Sequence, residues 1–579
     1  MIGKTHEVRN SFLCMLIFTV CFWATWPIAA MGFGDDWSYI KSAQVFAQTG
    51  RFVYNGWATA MLGWQIPWGA LFIRLFGFSF MAVKLSTFPL ALATLFLFHL
   101  ILVRFGISAR NAIIGTLTLG LSPLFMPLAA SFMTDISGLF VIVLCLYCCQ
   151  RAVQAQTHTA TIAWLSFAAA SNLAGGTVRQ IVWLGALVMV PSTGWLLRKR
   201  RGVLPTALAL WIVCIVGVLY SMHWFAQQRY SIQEDIFRAS FSDWSPVLIH
   251  LLLITMYLSA QFLCLLLVVF PLLIVWLPHI RKISRSSFTK FVIFLVIWIV
   301  FESLFHWELL WPQGSLFKEF ATFRDASAGS ALDVQTFFLP WSGRLAISML
   351  VLVTFLACVA SVRLKLGAQN RTATPNGRSE IFWLCTPFVS SYFALLLPRA
   401  ATGEIYDRYV LGIMPFAILC LLWLYQRHIA QELPAYSAFA LIVYTILAIA
   451  GTHDWYAWQR ARLAAINEVR AAKVPRRNIQ GGFEYDGWTQ IEYGGHINDQ
   501  RIQIPADAYA PNPDISQPPK DCRLDFAPKT PVVKPKFTTV FGPKWCLAPS
   551  QFPPVHYRCW LPPFQRTIYI LRIPPALPN

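Results

Sequence analysis

The chain has 579 residues, of which 57% are hydrophobic and only 12% charged, with a mean hydropathy of +0.55. Soluble domains carry about 25% charged residues, so this composition excludes an ordinary soluble protein and indicates many membrane spans. A net charge of +20 would suggest a nucleic-acid partner in a soluble protein. Here the basic residues cluster between apolar runs, which is the positive-inside pattern of membrane proteins, so we expect no nucleic-acid partner.

The apolar runs predict thirteen membrane spans, each near the length that a bilayer requires. The first run follows ten mostly polar residues and shows no signal-peptidase site, so we interpret it as a retained span. The predicted spans are 11–31, 85–103, 111–128, 136–150, 160–174, 179–197, 204–222, 249–277, 288–305, 340–362, 380–398, 408–426 and 434–451. This odd number predicts a multi-pass protein of the cell's inner (plasma) membrane, with a cytoplasmic N-terminus and the residues after 450 outside.

The first outer loop begins with two acids, Asp35 and Asp36, where the chain leaves the membrane. Carboxylates are costly near hydrocarbon, so this position indicates a function. The residues that follow show helical periodicity up to Gly50, and Asn55-Gly56 is a turn signal. An aromatic-rich segment at 59–77 completes the pattern. We predict two helices lying along the membrane surface.

Two later hairpins carry a single charge each, near the middle of the hairpin. Asp135 is the only charged residue between Arg110 and Arg151, and Arg179 is the only one between Arg151 and Arg198. Each interval is about two membrane thicknesses long, so both charges are predicted at the outer tips. A third tip, 398–415, adds Glu404, Asp407 and Arg408.

Two larger outer loops, 223–248 and 306–339, are aromatic and of mixed charge, which would suit the cover of a substrate cleft. His223 and His306 each precede a tryptophan at a membrane exit. Either metal binding or packing at the interface would explain these histidines, and the sequence leaves both open.

The composition changes in the tail, where 17 of the 35 prolines follow residue 501. We predict an all-α membrane domain over 1–452 and a small extracytoplasmic α+β domain over 453–579. The tail pattern predicts a helix at 454–473 and strands at 479–493, 536–542 and 566–573, with Asp486-Gly487 as a turn signal within the first of these. Three cysteines, Cys522, Cys546 and Cys559, lie in this tail, so at most one disulfide is expected there.

Each charged position also has an explanation that needs no catalysis. Asp35, Asp36 and Asp135 are all placed to cap a helix, which is worth about 1 kcal/mol. Arg179 would suit an interfacial arginine that extends toward water. A local ion pair would explain Asp407 and Arg408.

Taken together, four segments resemble the C-type integral membrane glycosyltransferases, which include the protein O-mannosyltransferases and the aminoarabinose transferase of lipid A. GDDWSYIKSAQVFAQTGRF resembles their D-[DE]-x-x-Y motif in the first loop. SFMTDISG resembles their second acidic motif, GGTVRQ the tip that follows, and YDRYVLGIMP the motif near the last spans. The four segments occur in the family's order and cover the membrane part.

The resemblance implies an inverting transfer at the outer face from a polyprenyl-phosphate sugar to a lipid, glycan or protein acceptor. It implies Asp35 as general base with Asp36 and Asp135 as further catalytic acids. For substrate binding it implies Arg179, Arg408, Tyr39 and Gln65. The family's Lys-Pro-Pro-like element is replaced here by GWQIPWG, and the use of a divalent metal stays open.

Two other functions remain as alternatives. A lipid-linked sugar flippase or transporter would carry ionisable residues within the spans, near the midplane. A binding or scaffold protein would act through the external tail.

Overall fold

The computed structural model describes residues 2–234, 244–282, eight positions between 289 and 303, 340–369, 376–402, 405–511, 526–542, 545–562 and 564–574. Most of the predicted span 288–305, all of the predicted loop 306–339 and part of the loop 223–248 lie outside the described residues. Glu404, His306 and Cys522 also lie outside them.

Helices make up nearly all of the described membrane part. Their bounds are α1 Ile2–Ala24, α2 Asp36–Thr49, α3 Gln65–Phe76, α4 Phe80–Leu85, α5 Thr87–Arg104, α6 Ala109–Gly120, α7 Phe125–Ala129, α8 Thr134–Gln154, α9 His158–Gly176, α10 Val190–Leu196, α11 Val203–Ala226, α12 Trp244–Val268, α13 Phe270–Leu273, α14 Trp341–Gln369, α15 Asn376–Thr402, α16 Met414–His428 and α17 Ala435–Ala471. Short non-α turns occupy Gln180–Val182, Gly185–Met189, Ile274–Lys282 and Asp407–Gly412.

Eight helices in the described part are long and apolar enough to cross a bilayer, so the chain is a helical membrane protein. Backbone groups in lipid must be satisfied within the segment, which is why these apolar runs form helices. The predicted number of thirteen spans stays a prediction. Two shorter apolar stretches also match predicted spans: Gln180–Leu196 fills the span 179–197, and Phe270–Ile280 overlaps the end of the span 249–277.

The helices α2 and α3 confirm the two helices predicted for the first loop, and their position along the membrane surface stays a prediction. Gly50 ends α2 with φ +68° and donates its N–H to Phe46 O at 2.8 Å. Glycine adopts this left-handed conformation without the steric cost that a Cβ would add. The side chain of Asn55 makes two hydrogen bonds with Ser38. Its Oδ1 accepts from the Ser38 hydroxyl at 2.7 Å, and its Nδ2 donates to the Ser38 carbonyl at 2.9 Å. These bonds return the chain toward α2.

The C-terminal part continues from the membrane part without a break, because α17 passes residue 452 as one helix. After it come β1 Ile479–Gln480, α18 Phe483–Gly494, β2 Phe537–Val540, β3 Ala548–Pro549, β4 Val555–Arg558 and β5 Gln565–Arg572. Strand β5 pairs antiparallel with β2, β3 and β4, and β1 pairs parallel with β2. The predicted tail helix and the strands at 536–542 and 566–573 are confirmed. The division into two domains at 452 stays a prediction.

The prediction of strand and turn at 479–493 is wrong, because most of this segment forms α18. Asp486 lies in the first turn of α18 and accepts the N–H of Gly481 at 3.0 Å, which favours a helix start. Gly487, interpreted from the sequence as a turn residue, instead packs against Trp37. A Cβ at this glycine would lie 2.7 Å from the ring, so the position requires a small residue for close packing.

The cysteines of the tail differ in state. Cys546 is disulfide-bonded, whereas Cys559 is a buried free thiol. This agrees with the expectation of at most one disulfide in the tail.

Candidate active site

The acidic pair at the start of α2 divides into one buried and one accessible carboxylate. Asp36 is 0% exposed and accepts two backbone N–H groups, from Phe33 at 2.6 Å and from Phe132 at 2.9 Å. These bonds fasten the first loop to the hairpin tip that precedes α8. Burial raises the pKa of Asp36 to about 6, although the charge of Lys84 and the two N–H groups oppose that rise.

Asp35 lies at the surface of the same turn, with 25% of its side chain exposed. Its Oδ1 accepts the indole N–H of Trp57 at 2.9 Å, and its Oδ2 lies 3.5 Å from Nη2 of Arg408. The ring of Trp57 packs in turn against Phe483 and Phe526 of the C-terminal part, with centroids 5.3 Å away in both cases. The C-terminal part therefore helps to position the Asp35 carboxylate.

The two hairpin charges form an ion pair with each other. Arg179 Nη1 pairs with Oδ1 of Asp135, and the Asp135 side chain is only 1% exposed. Arg179 Nη1 also lies 3.5 Å from Oγ1 of Thr134, at the start of α8. Gly138, one turn further along α8, leaves the space that Arg179 occupies, because a Cβ there would lie 2.9 Å from Arg179 Cδ.

The third tip places Tyr409 beside two arginines. Arg179 and Arg399 lie 5.3 and 5.5 Å from the centre of its ring, and Arg399 Nη1 lies 3.2 Å from its hydroxyl. Arg399 also pairs with Glu234, from the loop after α11. Cations over an aromatic face are held by the ring quadrupole, so Tyr409 links the Arg179 hairpin to the third tip.

Tyr39 is a buried tyrosine on which four of these charges act. Burial raises the pKa of Tyr39 well above its usual value, and the charges of Asp35, Arg408, Asp135 and Arg179 all act on this hydroxyl. It therefore stays protonated and able to donate a hydrogen bond. We call Asp35, Tyr39, Asp135, Arg179 and Arg408 the charge cluster.

The charges of the two acids also act on Arg408. Burial lowers the pKa of Arg408, but Asp135 and Asp35 outweigh that effect, so the net shift is upward. The guanidinium thus stays cationic. Since both carboxylates act on one arginine, the two acid–arginine pairs form a single electrostatic unit.

Gln65, expected from the resemblance to bind substrate, is fully buried. Its amide Nε2 donates to Phe132 O at 2.8 Å. This contact supports the same tip that Asp36 holds.

The sequence analysis missed Arg399 and Trp57 as members of the site. Arg399 follows a proline at the start of the third tip, and an arginine at a span end in a motif-bearing tip was a usable signal. Nothing local to Trp57 distinguishes it from the other interfacial tryptophans.

No arrangement for a metal is seen in the part of the chain that the structure describes, where no group of three His, Cys, Asp or Glu side chains converges. His223 is exposed and its Nε2 lies 2.9 Å from Nε2 of Gln227.

No protein-family model and no curated protein matches this chain by sequence. Among solved structures it is similar to ArnT from Cupriavidus metallidurans in the apo state, with 12% identity, coverage of 98% of this chain and 99% of that chain, and a TM-score of 0.40. It is also similar to the same protein bound to undecaprenyl phosphate, with 12% identity, 84% coverage of both chains and a TM-score of 0.37.

A third similar structure is the oligosaccharyltransferase AglB from Archaeoglobus fulgidus in complex with an inhibitory peptide and a dolichol-phosphate. The identity is 11%, the coverage 79% of this chain and 58% of that chain, and the TM-score 0.38. Likenesses at this level do not by themselves establish the substrate or the residue roles of this chain. The function therefore rests on the charge cluster.

Proposed function

We propose that this protein is a membrane glycosyltransferase that moves a sugar from a polyprenyl-phosphate donor to an acceptor at the outer face, with inversion. One observation carries the proposal. Four charged residues from segments far apart in the chain form two acid–arginine pairs, and the charges of all four act on the buried Tyr39. Such a transfer needs a base for the acceptor and a cation for the departing phosphate, and the charge cluster supplies both.

Accessibility distinguishes the three acids. Asp36 is 0% exposed with both oxygens bonded to backbone N–H groups, and the Asp135 side chain is 1% exposed in its pair with Arg179. Asp35 alone among the three presents a carboxylate that a substrate hydroxyl can reach. We therefore assign the general base to Asp35. Asp36 and Asp135 act as positioning residues, for the first loop and for Arg179.

Arg408 is the better of the two arginines for the donor phosphate. Its separation of 3.5 Å from Asp35 is longer than the 2.7–2.9 Å that is typical of a charge-assisted hydrogen bond. A phosphate can therefore compete for the guanidinium. When the phosphate takes Arg408, Asp35 loses its counter-ion and becomes the stronger base that removes the acceptor's proton.

The arrangement does not fit a divalent metal in the charge cluster. Asp35 and Asp135 each have an arginine partner, and a cation placed between them would meet Arg179 and Arg408. The developing charge on the leaving phosphate is stabilised by arginine instead.

Transport fits the charge distribution less well. In the first seven candidate spans that the structure describes, every Asp, Glu, Lys and Arg lies within five residues of a span end. A path for a charged headgroup would place ionisable residues at the midplane.

Turnover of a labelled donor tests the proposal without knowledge of the acceptor. The protein in nanodiscs is given undecaprenyl-phosphate mannose or aminoarabinose with a membrane lipid extract, and release of undecaprenyl phosphate is followed by chromatography. Asp35→Asn should lower the rate by about 100-fold or more, as expected for loss of a general base. The exposed Asp507 offers a matched control, and Asp507→Asn should keep the wild-type rate. Equal rates in the two variants would refute the role of Asp35.

A further inference from the structure

A groove of about 520 Å³ lies between α17 and β4, and none of the residues that line it belongs to the charge cluster. Other residues of α17 contact other elements: Tyr456 donates to Ala130 O at 2.7 Å, just before α8, and Arg462 pairs with Glu484 of α18 at 2.8 Å. The groove is lined from α17 by residues spaced as one helical face: His453, Ala457, Arg460, Ala461 and Ala464. It is therefore a separate site.

The lining of the groove is basic. Arg460 and His453 from α17 face Arg558 and His556 from β4, and no carboxylate is among the lining residues that the structure describes. Arg558 is exposed and makes no ion pair within the described part of the chain. The groove thus has an unneutralised positive charge suited to an anion.

The nearest acid on α17, Asp454, pairs with His453 and leaves the two arginines of the groove without a carboxylate partner in the described part of the chain. Asp454 is buried and accepts the backbone N–H groups of Trp560 at 2.7 Å and Leu561 at 2.9 Å. It is also 2.9 Å from Nδ1 of His453, whose ring stacks on Trp560 at 4.1 Å. Asp454 therefore fastens the turn between β4 and β5 to α17.

The groove lies at the level where the chain leaves the membrane. Nη1 of Arg460 donates to Trp26 O at 2.8 Å and to Ile28 O at 3.2 Å, just beyond the end of α1. Trp26 and Trp560 are both exposed beside it. Exposed tryptophans are typical of the boundary between acyl chains and headgroups.

An exposed apolar stripe of α17 leads directly into the groove. Phe439, 67% exposed, and the exposed Val443 and Ile446 lie on the same helix face as His453 and Ala457. The rise from residue 446 to residue 453 is about 10 Å at about 1.5 Å per residue. An acyl chain along this stripe would bring its phosphate to the two arginines.

We propose that this groove binds the phosphate of an anionic phospholipid, whose acyl chains lie along the stripe Phe439–Ile446 of α17. Arginine pairs well with phosphate oxygens, and the exposed tryptophans suit the ester region of the lipid. The bound lipid would hold the C-terminal sheet against the membrane surface. This inference does not depend on the proposed transferase function.

Lipid titration of the full-length protein in a non-ionic detergent, read by native mass spectrometry, tests the site. Dioleoyl phosphatidylglycerol is compared with dioleoyl phosphatidylcholine in wild type, Arg558→Gln and Arg572→Gln. The control Arg572 is exposed on β5, seven residues beyond Gln565, the partner of Arg558. Along β5, Arg572 is therefore about 23 Å from Gln565, at about 3.3 Å per residue.

We expect wild type and Arg572→Gln to bind phosphatidylglycerol equally and more tightly than phosphatidylcholine. Arg558→Gln should weaken phosphatidylglycerol about tenfold and leave phosphatidylcholine unchanged, because one charged hydrogen bond is lost. Equal binding of both lipids by wild type, or equal effects of the two substitutions, would overturn the proposal. So would displacement of the lipid by inorganic phosphate at matched concentration, since the acyl stripe would then contribute nothing.

Discussion

The contact between Arg408 and Asp35 gives a prediction in which two substitutions change one affinity in opposite directions. If Arg408 holds the phosphate of the lipid carrier, Asp35 competes with that phosphate for the guanidinium. Asp35→Asn removes the competitor and should tighten the binding of undecaprenyl phosphate. Arg408→Gln removes the guanidinium that holds the phosphate and should weaken the binding of undecaprenyl phosphate.

The expected magnitudes follow from the geometry. A separation of 3.5 Å corresponds to an attraction of about 5 kcal/mol at an effective dielectric constant of about 20. Both side chains are partly exposed, so desolvation and screening reduce the net value to about 1 kcal/mol, or about a fivefold change in Kd. Loss of a charged hydrogen bond in Arg408→Gln is worth about 1.5–3 kcal/mol, or about a ten- to hundredfold weakening.

The assay is titration of the detergent-solubilised protein with undecaprenyl phosphate, followed by tryptophan fluorescence. Asp507→Asn is the control for a change of charge alone and should bind as wild type does. The reasoning is refuted if Asp35→Asn weakens binding as much as Arg408→Gln does, because the carboxylate would then support the ligand rather than compete with it.

Two further predictions concern stability. Asp36 has a pKa raised from 3.8 to about 6, so the folded state binds its proton more tightly than the unfolded state. Stability should therefore fall by about 3 kcal/mol as the pH rises from about 4 to about 6, and thermal melts of Asp36→Asn should lack this fall. Gly487→Ala would place a Cβ 2.7 Å from Trp37 and should cost about 1–3 kcal/mol by overpacking. Its melting temperature should be lower than that of Gly542→Ala, where the new methyl meets no atom of the described residues within 4 Å; equal melting temperatures would contradict the packing argument.

The sequence predicted the helices and charge positions that depend only on nearby residues. The helix α2 could be predicted because its periodicity and the terminal Gly50 both lie within the segment. The charges at the hairpin tips could be placed because a lone charge in an apolar interval must lie near a membrane surface. That argument gave the four charged residues of the charge cluster without their partners, whereas Tyr39 came from the family resemblance.

The local sequence pattern could not show which of the two adjacent acids is buried. Asp36 is the buried one because Phe132, 96 residues later, donates its N–H to it. Similarly, the segment 479–493 carries a turn signal at Gly487, and only its contact with Trp37 explains the glycine within a helix. Both outcomes depend on tertiary packing, which local propensity does not report.

The most direct test of the central claim is an experimental structure of the protein in a nanodisc with undecaprenyl phosphate. We expect a phosphate oxygen within hydrogen-bonding distance of Arg408, with Asp35 facing the same space and no longer paired with the guanidinium. A lipid phosphate bound elsewhere, with the contact between Asp35 and Arg408 intact, would contradict the account.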